Sequence, residues 1–181
     1  MSIEIEVLNG DASWPTAEPL FNAVWPAEMV KKLPWGDIEW AHADLRVLID
    51  APSGGGLPGG LACHVGIYFR TVTWNGRKFD IGGIGGVSTR EDCRRHGYAS
   101  IALNAAIQTL KDEGATDFGM LFCEPHNAPF YMARGWKPYE GEVYAEQPNK
   151  GRIRFEALAP YTYHLRRAPL RGAIDLCGLP W

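Results

Sequence analysis

Six consecutive residues, Arg94-Arg95-His96-Gly97-Tyr98-Ala99, place two guanidiniums and a glycine where an apolar, Gly-rich strand (81–87) runs into an amphipathic helix. Successive backbone N–H groups in such a turn point into one concavity, the helix dipole adds partial positive charge, and Gly97 lets a ligand approach the backbone closely. A phosphate suits this arrangement, with the arginines as charge-assisted donors. Further along, Glu124 follows a predicted buried strand, 117–123, at the open end of a sheet. A carboxylate there is a candidate base for taking a proton from an ammonium, with His126 and Glu39 as alternatives. Cys123 is a poorer candidate as an acyl-enzyme nucleophile. No His is clearly paired with it, and a buried strand cysteine is commonly inert.

These groups need elements to position them. Ile3, Ile5 and Val7 alternate with Glu4 and Glu6, which predicts a half-buried first strand. Residues 9–15 read as a loop, and 17–33 as a helical region that Pro26 divides. Trp35, Glu39 and Trp40 form an aromatic and acidic segment beyond it. Residues 45–49 read as a short strand and 51–60 as a loop mobile by its Gly and Pro content. Strands over 61–74 and 78–88 flank Asn75-Gly76, a strong type I′ hairpin signal.

Gly82-Gly83-Ile84-Gly85-Gly86 lacks the Gly-Lys-Ser/Thr of a nucleotide P-loop, and no helix begins at its last glycine. Glycines inside a strand predict instead a bulge or a close backbone approach. Apolar residues at Ile101, Ala102, Ala105, Ile107 and Leu110 predict a helix over 99–113 ending at Gly114. A helix at 127–133, a strand from Trp136 and a last strand at 161–165 complete the pattern.

One domain over residues 1–181 accounts for the length, with about 70% of the unfolded surface buried at this size. Hydrophobic content of 46% and charged content of 22% are ordinary globular values, and no apolar run approaches the roughly 20 residues that span a bilayer. A net charge of −3 argues against a nucleic-acid partner; a cationic small molecule fits better. MSIEIEVLNG does not resemble a signal peptide, and the four cysteines show no metal-site or redox spacing. The expectation is a cytoplasmic protein with reduced thiols, no metal and no membrane partner.

The R-x-x-G-x-A pattern from Arg94 to Ala99, followed by Phe130-Tyr131-Met132-Ala133-Arg134-Gly135-Trp136, resembles two ordered motifs of the GCN5-related N-acetyltransferases. The resemblance implies an α+β (mixed α/β) fold. Its central, twisted, mostly antiparallel sheet is flanked by helices and splays one strand pair to bind acetyl-CoA. It implies cofactor contacts at Val87, Thr89, Arg94, Arg95, His96, Gly97, Tyr98, Ala99 and Asn127. Backbone N–H groups near Val87 and Thr89 would hold pantetheine and polarise the thioester, and Tyr131 would be the general acid for the leaving thiolate. The amine would attack directly.

Within that family the chain is most similar to the aminoglycoside 2′-N-acetyltransferases. The similarity lies in Glu39-Trp40-Ala41-His42, Arg90-Glu91-Asp92, the segment from Ala133 to Tyr139, and the last residue, Trp181. It implies an amino-sugar acceptor touching Glu39, Trp40, Glu124 and Trp181, the last through its carboxylate, and a resistance function. Two acidic positions of that branch are Gly85 and Leu179 here, which points to an acceptor with fewer amines, such as kasugamycin. Another small amine, a peptide N-terminus, or a non-catalytic acyl-CoA-binding role are the competing readings. A homodimer through the late strand at 161–165 is a further expectation.

Overall fold

In the computed structural model, which describes residues 3–52, 60–114 and 116–181, Asn75 and Gly76 both take positive φ, 50° and 79°. They close the hairpin of β3 (Gly60–Trp74) and β4 (Arg77–Thr89), the backbone geometry a two-residue turn needs to match strand twist. Against β3 runs β2 (Leu45–Ala51), and against β2 runs β1 (Glu4–Asn9), both antiparallel. From β4 the chain crosses through α3 (Tyr98–Asp112) to β5 (Phe118–Cys123), which lies parallel to β4. The remaining strands are β6 (Lys137–Pro138), β7 (Glu142–Gln147), β8 (Gly151–Arg154), β9 (Ala159–His164) and β10 (Ala173–Asp175). The sheet order is β6-β9-β5-β4-β3-β10-β7-β8, with β2 also on β3 and β1 on β2.

The sheet has a core on each face. On one, Ala102, Leu103, Ala106, Ile107 and Leu110 of α3 pack on Val47, Ile49, Val65, Ile67, Ile84 and Leu121. On the other, Tyr68, Val72, Ile81, Phe118 and Met120 meet Ile174, Leu176 and Trp181 from the chain's last segment. The glycine-rich part of β4 serves both layers. A Cβ at Gly82 would lie 2.2 Å from a Leu110 methyl, and one at Gly83 would lie 2.3 Å from the Trp181 ring. Gly82 and Gly83 make room for side chains, while at Gly85 a Cβ would lie 3.0 Å from the backbone carbonyl carbon of Trp181, a close backbone approach.

Some expectations are corrected. Residues 9–15 are not a loop: α1 (Gly10–Val24) starts there, Asn9 Oδ1 accepting from the Ala12 N–H at 3.0 Å and Ser13 Oγ donating to the Asn9 carbonyl at 2.6 Å. Pro15 and Pro19, four apart, lie on the exposed face, where carbonyls deprived of helix donors reach water. After Pro26 comes the short α2 (Ala27–Val30), the expected division. β1 is not half-buried. Its six residues are exposed, Ile5 and Val7 by 43% and 42%, because it is the last strand of the branch from β2. The segment at 161–165 is no open edge over Tyr161 and Thr162, which pair with β5 on one side and β6 on the other. Most of the loop expected at 51–60 lies outside the described residues.

Candidate active site

β4 and β5 pair only over Gly82–Ile84 and Gly119–Leu121. Just beyond, the β3–β4 register shifts, so that Val65 alone faces Gly86 and Val87. Such a bulge bends its strand and raises the local twist, and β4 parts from β5. Gly86 takes φ +58°, a backbone state that favours glycine.

His64 holds this bulge from behind. Fully buried, it has Nε2 3.0 Å from Arg46 Nη1 and Nδ1 2.7 Å from the Gly86 carbonyl oxygen. A guanidinium only donates, so Nε2 accepts and Nδ1–H donates to Gly86. Burial lowers the ring's pKa to about 4, against an opposing contribution from the Gly86 bond, and keeps it neutral. The Gly86–Val87 peptide is trans. Its N–H, on Val87, therefore points away from the carbonyl that His64 holds.

The N-terminus of α3 follows the end of β4 after a single turn at Glu91–Cys93. Gly97, at φ +81°, is the N-cap and offers no side-chain acceptor. The Ile101 N–H is bonded back to the Gly97 carbonyl at 3.1 Å. The N–H groups of Tyr98, Ala99 and Ser100 precede it and have no acceptor within the helix. A Cβ at Gly97 would meet nothing within 4 Å, so the approach to those donors is open. Arg94 and Arg95 are exposed beside it. Arg94 Nε donates to the Thr89 carbonyl at 3.3 Å, and His96 Nδ1 donates to the Arg94 carbonyl at 2.8 Å. Tyr98 contributes only its backbone, because its side chain is buried in the core. The donors, the missing cap and the open glycine fit a diphosphate, and the parted strands fit an extended arm such as that of acetyl-CoA.

After β5, α4 (Ala128–Met132) carries Tyr131, whose ring is in the core. Among the described residues no group bonds its hydroxyl, and Tyr131 lines the cleft together with Val87, Cys123, Glu124 and Asn127. Burial, with smaller contributions from Cys123 and Cys63, raises its pKa above the ordinary phenol value. Cys123 is pushed up to about 11 by burial and by Glu124, which leaves little thiolate for acyl-enzyme chemistry. Glu124 Oε1 accepts from Trp35 Nε1 at 3.0 Å, and Oε2 lies 3.4 Å from Nδ1 of the exposed His126.

Gly86, Val87, Glu124 and Tyr131 open on a cleft of about 460 Å³. Five of the chain's seven tryptophans line it: Trp14, Trp25, Trp35, Trp40 and Trp181. Trp14, Phe21, Trp25, Trp35 and Trp40 form a run of edge-to-face contacts with centroids 5.1 to 6.3 Å apart. Trp181 is stacked on Tyr68 and donates from Nε1 to the Met120 carbonyl at 3.0 Å.

Of the expected acceptor residues, Trp40, Glu124 and Trp181 line the cleft and Glu39 does not. Its backbone N–H and carbonyl are both bonded by the Gln147 side chain at 2.9 Å, which fixes the segment with Glu39 exposed. Trp14, Phe21, Trp25, Arg46, His64 and Tyr68 were not expected here. The first three have spacings of seven and four, one helical face, and are hidden once 9–15 reads as loop. No local pattern marks Arg46 or His64. Among the described residues no helix is long and apolar enough to cross a membrane, and no three or more His, Cys, Asp and Glu gather as metal ligands.

A family model described as an acetyltransferase (GNAT) domain matches residues 11–139. An aminoglycoside 2′-N-acetyltransferase of Mycolicibacterium fortuitum is 30% identical over 90 residues, 50% of this chain. That match spans only 45% of the relative. A GNAT-family N-acetyltransferase of Escherichia coli solved with CoA superposes with a TM-score of 0.64 at 14% identity, covering 97% of this chain and 89% of that one. One of Brucella melitensis solved with acetyl-CoA gives 0.58 at 13% identity, covering 96% and 94%. At such identities the likeness is one of fold.

Proposed function

Because this chain belongs to the GNAT acetyltransferase family, we propose that it transfers an acetyl group from acetyl-CoA to a primary amine of a small molecule, by direct attack of the amine. The observation that carries this reading is the parting of β4 and β5 between the uncapped N-terminus of α3 and the unbonded Tyr131 hydroxyl. Acetyl-CoA, when bound, supplies an acetyl thioester activated for acyl transfer. The first-turn N–H groups of α3, with Arg94 and Arg95, hold the diphosphate, and Asn127 lies farther along the cleft. His64 fixes the Gly86 carbonyl and so aims the Val87 N–H toward the charge that develops on the carbonyl oxygen. Glu124 receives the acceptor's proton, and the Tyr131 hydroxyl gives one to the departing sulfur. A phenol whose pKa is raised keeps that proton throughout the neutral range.

An amino-sugar acceptor, modified at a 2′-amino group in a resistance reaction, is the finer reading. Its support is the partial likeness to the Mycolicibacterium protein and the presence of Trp40, Glu124 and Trp181 in the cleft. Thiol release from acetyl-CoA against a panel of amines tests the transfer. Release that depends on an amine is the expected result. Tight acetyl-CoA binding with no release for any amine would leave a non-catalytic binding protein.

A further inference from the structure

Arg46 is a buried cation with donors to spare. Only 3% exposed, it donates from Nε to the Gly10 carbonyl at 2.9 Å and from Nη1 to His64, and its guanidinium carbon lies 4.8 Å from the centre of the Trp14 ring. Nη2 has no partner among the described residues. Nor is it walled in: among those residues the one fully enclosed side-chain nitrogen or oxygen without a partner is Trp136 Nε1, and Arg46 lines the cleft. Asp11, exposed in the first turn of α1, acts on the guanidinium only at a distance. Glu124 and Trp181, whose carboxyl group stands beside Gly85, line the same cleft, and neither makes an ion pair with Arg46. The Tyr68 hydroxyl is a second free donor, lining the cleft without a partner among the described residues. Gly66 brings the two together. It stands opposite Arg46 across β2 and β3, on the same face, and a Cβ placed on it would lie 3.1 Å from Tyr68 Oη. Burial pushes that phenol up to about 12, the guanidinium drawing it partly back, so the hydroxyl keeps its proton. One imidazole, that of His64, separates Arg46 from the Gly86 carbonyl.

We propose, resting on the acetyl-transfer reading above, that the acceptor carries a carboxylate as well as its amine, and that Arg46 Nη2 and the Tyr68 hydroxyl hold that carboxylate. Both groups donate, and two donors converging over a glycine match the two oxygens of one planar anion. A buried cation without an anion is costly, so the carboxylate meets a partner that folding has already stripped of water. The ammonium end has counter-charges of its own in Glu124 and the Trp181 carboxyl group. Both signs of charge thus face the cleft from separate places, and a dipolar acceptor satisfies both. Only the His64 ring stands between Arg46 and the peptide that polarises the thioester. Amine and carboxylate are therefore a few bonds apart, as in an amino acid or an acidic amino sugar, and the shared chemistry is a primary amine close to a carboxylate.

The test uses the purified full chain with acetyl-CoA and reads thiol release for two matched pairs, phenylalanine against phenethylamine and muramic acid against glucosamine, which differ chiefly in a carboxylate. The expected result is a kcat/KM at least about tenfold higher for the acid in one pair, the scale of a hydrogen-bonded charge. The pair that shows it separates an amino acid from an acidic amino sugar. In Arg46→Met that ratio should fall to about one, whatever becomes of kcat through His64, because each pair is its own reference. Tyr68→Phe removes a hydroxyl that no described group bonds, so it should keep the melting temperature and cut the ratio about threefold; it decides where Arg46→Met does not fold. Ratios below about tenfold in both pairs, or a ratio that the deciding variant leaves unchanged, overturn this proposal and leave acetyl transfer intact. No release with any of the four, despite acetyl-CoA binding by calorimetry, overturns acetyl transfer and this proposal together.

Discussion

His64 Nδ1 and the Gly86 carbonyl oxygen lie 2.7 Å apart at the register shift of the β3–β4 pair, with Arg46 on the other ring nitrogen. The imidazole is thereby locked in one tautomer and the bulge peptide in one orientation. A strand that parts from its neighbour would otherwise leave that peptide free to rotate, and an N–H that must meet developing charge needs to be set beforehand.

The two nitrogens are separable by substitution. Asn has an amide nitrogen two bonds from Cβ, like Nδ1, whereas Gln reaches one bond farther, like Nε2. His64→Asn should keep kcat within about threefold, while His64→Gln should lose at least tenfold, a fraction of the roughly 10²–10³ that one oxyanion donor supplies. The acetyl-CoA KM should change little in either. Steady-state kinetics beside thermal unfolding decides, and the reverse ranking would reduce His64 to a packing group.

Stability should depend on pH through the same ring. Above about pH 6.5 the imidazole is neutral in both folded and unfolded chains, and its contribution is full. As pH falls from there to about 4, the unfolded chain takes up a proton that the folded chain refuses, and stability declines. The full loss is about 3 kcal/mol at 1.36 kcal/mol per pKa unit. Urea unfolding at pH 7.5 and 4.5 should show a larger drop for the natural protein than for His64→Asn. Equal drops would mean that His64 titrates normally.

Tyr131→Phe removes a hydroxyl that no described group bonds, so the melting temperature should scarcely move. Turnover should fall by about 10²–10⁴, the usual range for a general acid, with acetyl-CoA affinity kept. A loss of stability with turnover unchanged would instead mark the hydroxyl as structural.

Gly83 and Trp181 form a second pair for which only one arrangement fits. A Cβ at Gly83 would enter the indole, and the indole N–H is bonded to Met120. Gly83→Ala should cost about 1–3 kcal/mol by overpacking, yet far less in a Trp181→Ala background. A double-mutant cycle by chemical denaturation reads the coupling, and additive costs would mean that the two do not touch in solution.

The opposite outcomes at two proline-bearing segments show what was legible. Pro26 divides the helical region as read, but Pro15 and Pro19 sit within α1. A proline's effect depends on whether the carbonyls it strips face solvent, and that follows from what the helix packs on. In the same way, the alternation in β1 describes a strand correctly without telling whether a layer covers it.

By itself the sequence determined what is local in the chain. Asn75-Gly76 makes its turn from the φ preferences of two residues, α3 shows its face through a short period, and Arg94 to Ala99 mark the start of a helix whose first N–H groups suit an anion. Tertiary structure alone decided the rest. The insertion of Trp181 over Gly83, the joining of Arg46 and His64 behind Gly86, and the gathering of tryptophans from α1 to the last residue link positions far apart. Such contacts arise from the sheet's register and the burial of whole layers. No short window carries that information, and so the start of α3 at Gly97 was legible in the sequence while the assembly of the cleft walls from distant segments was not.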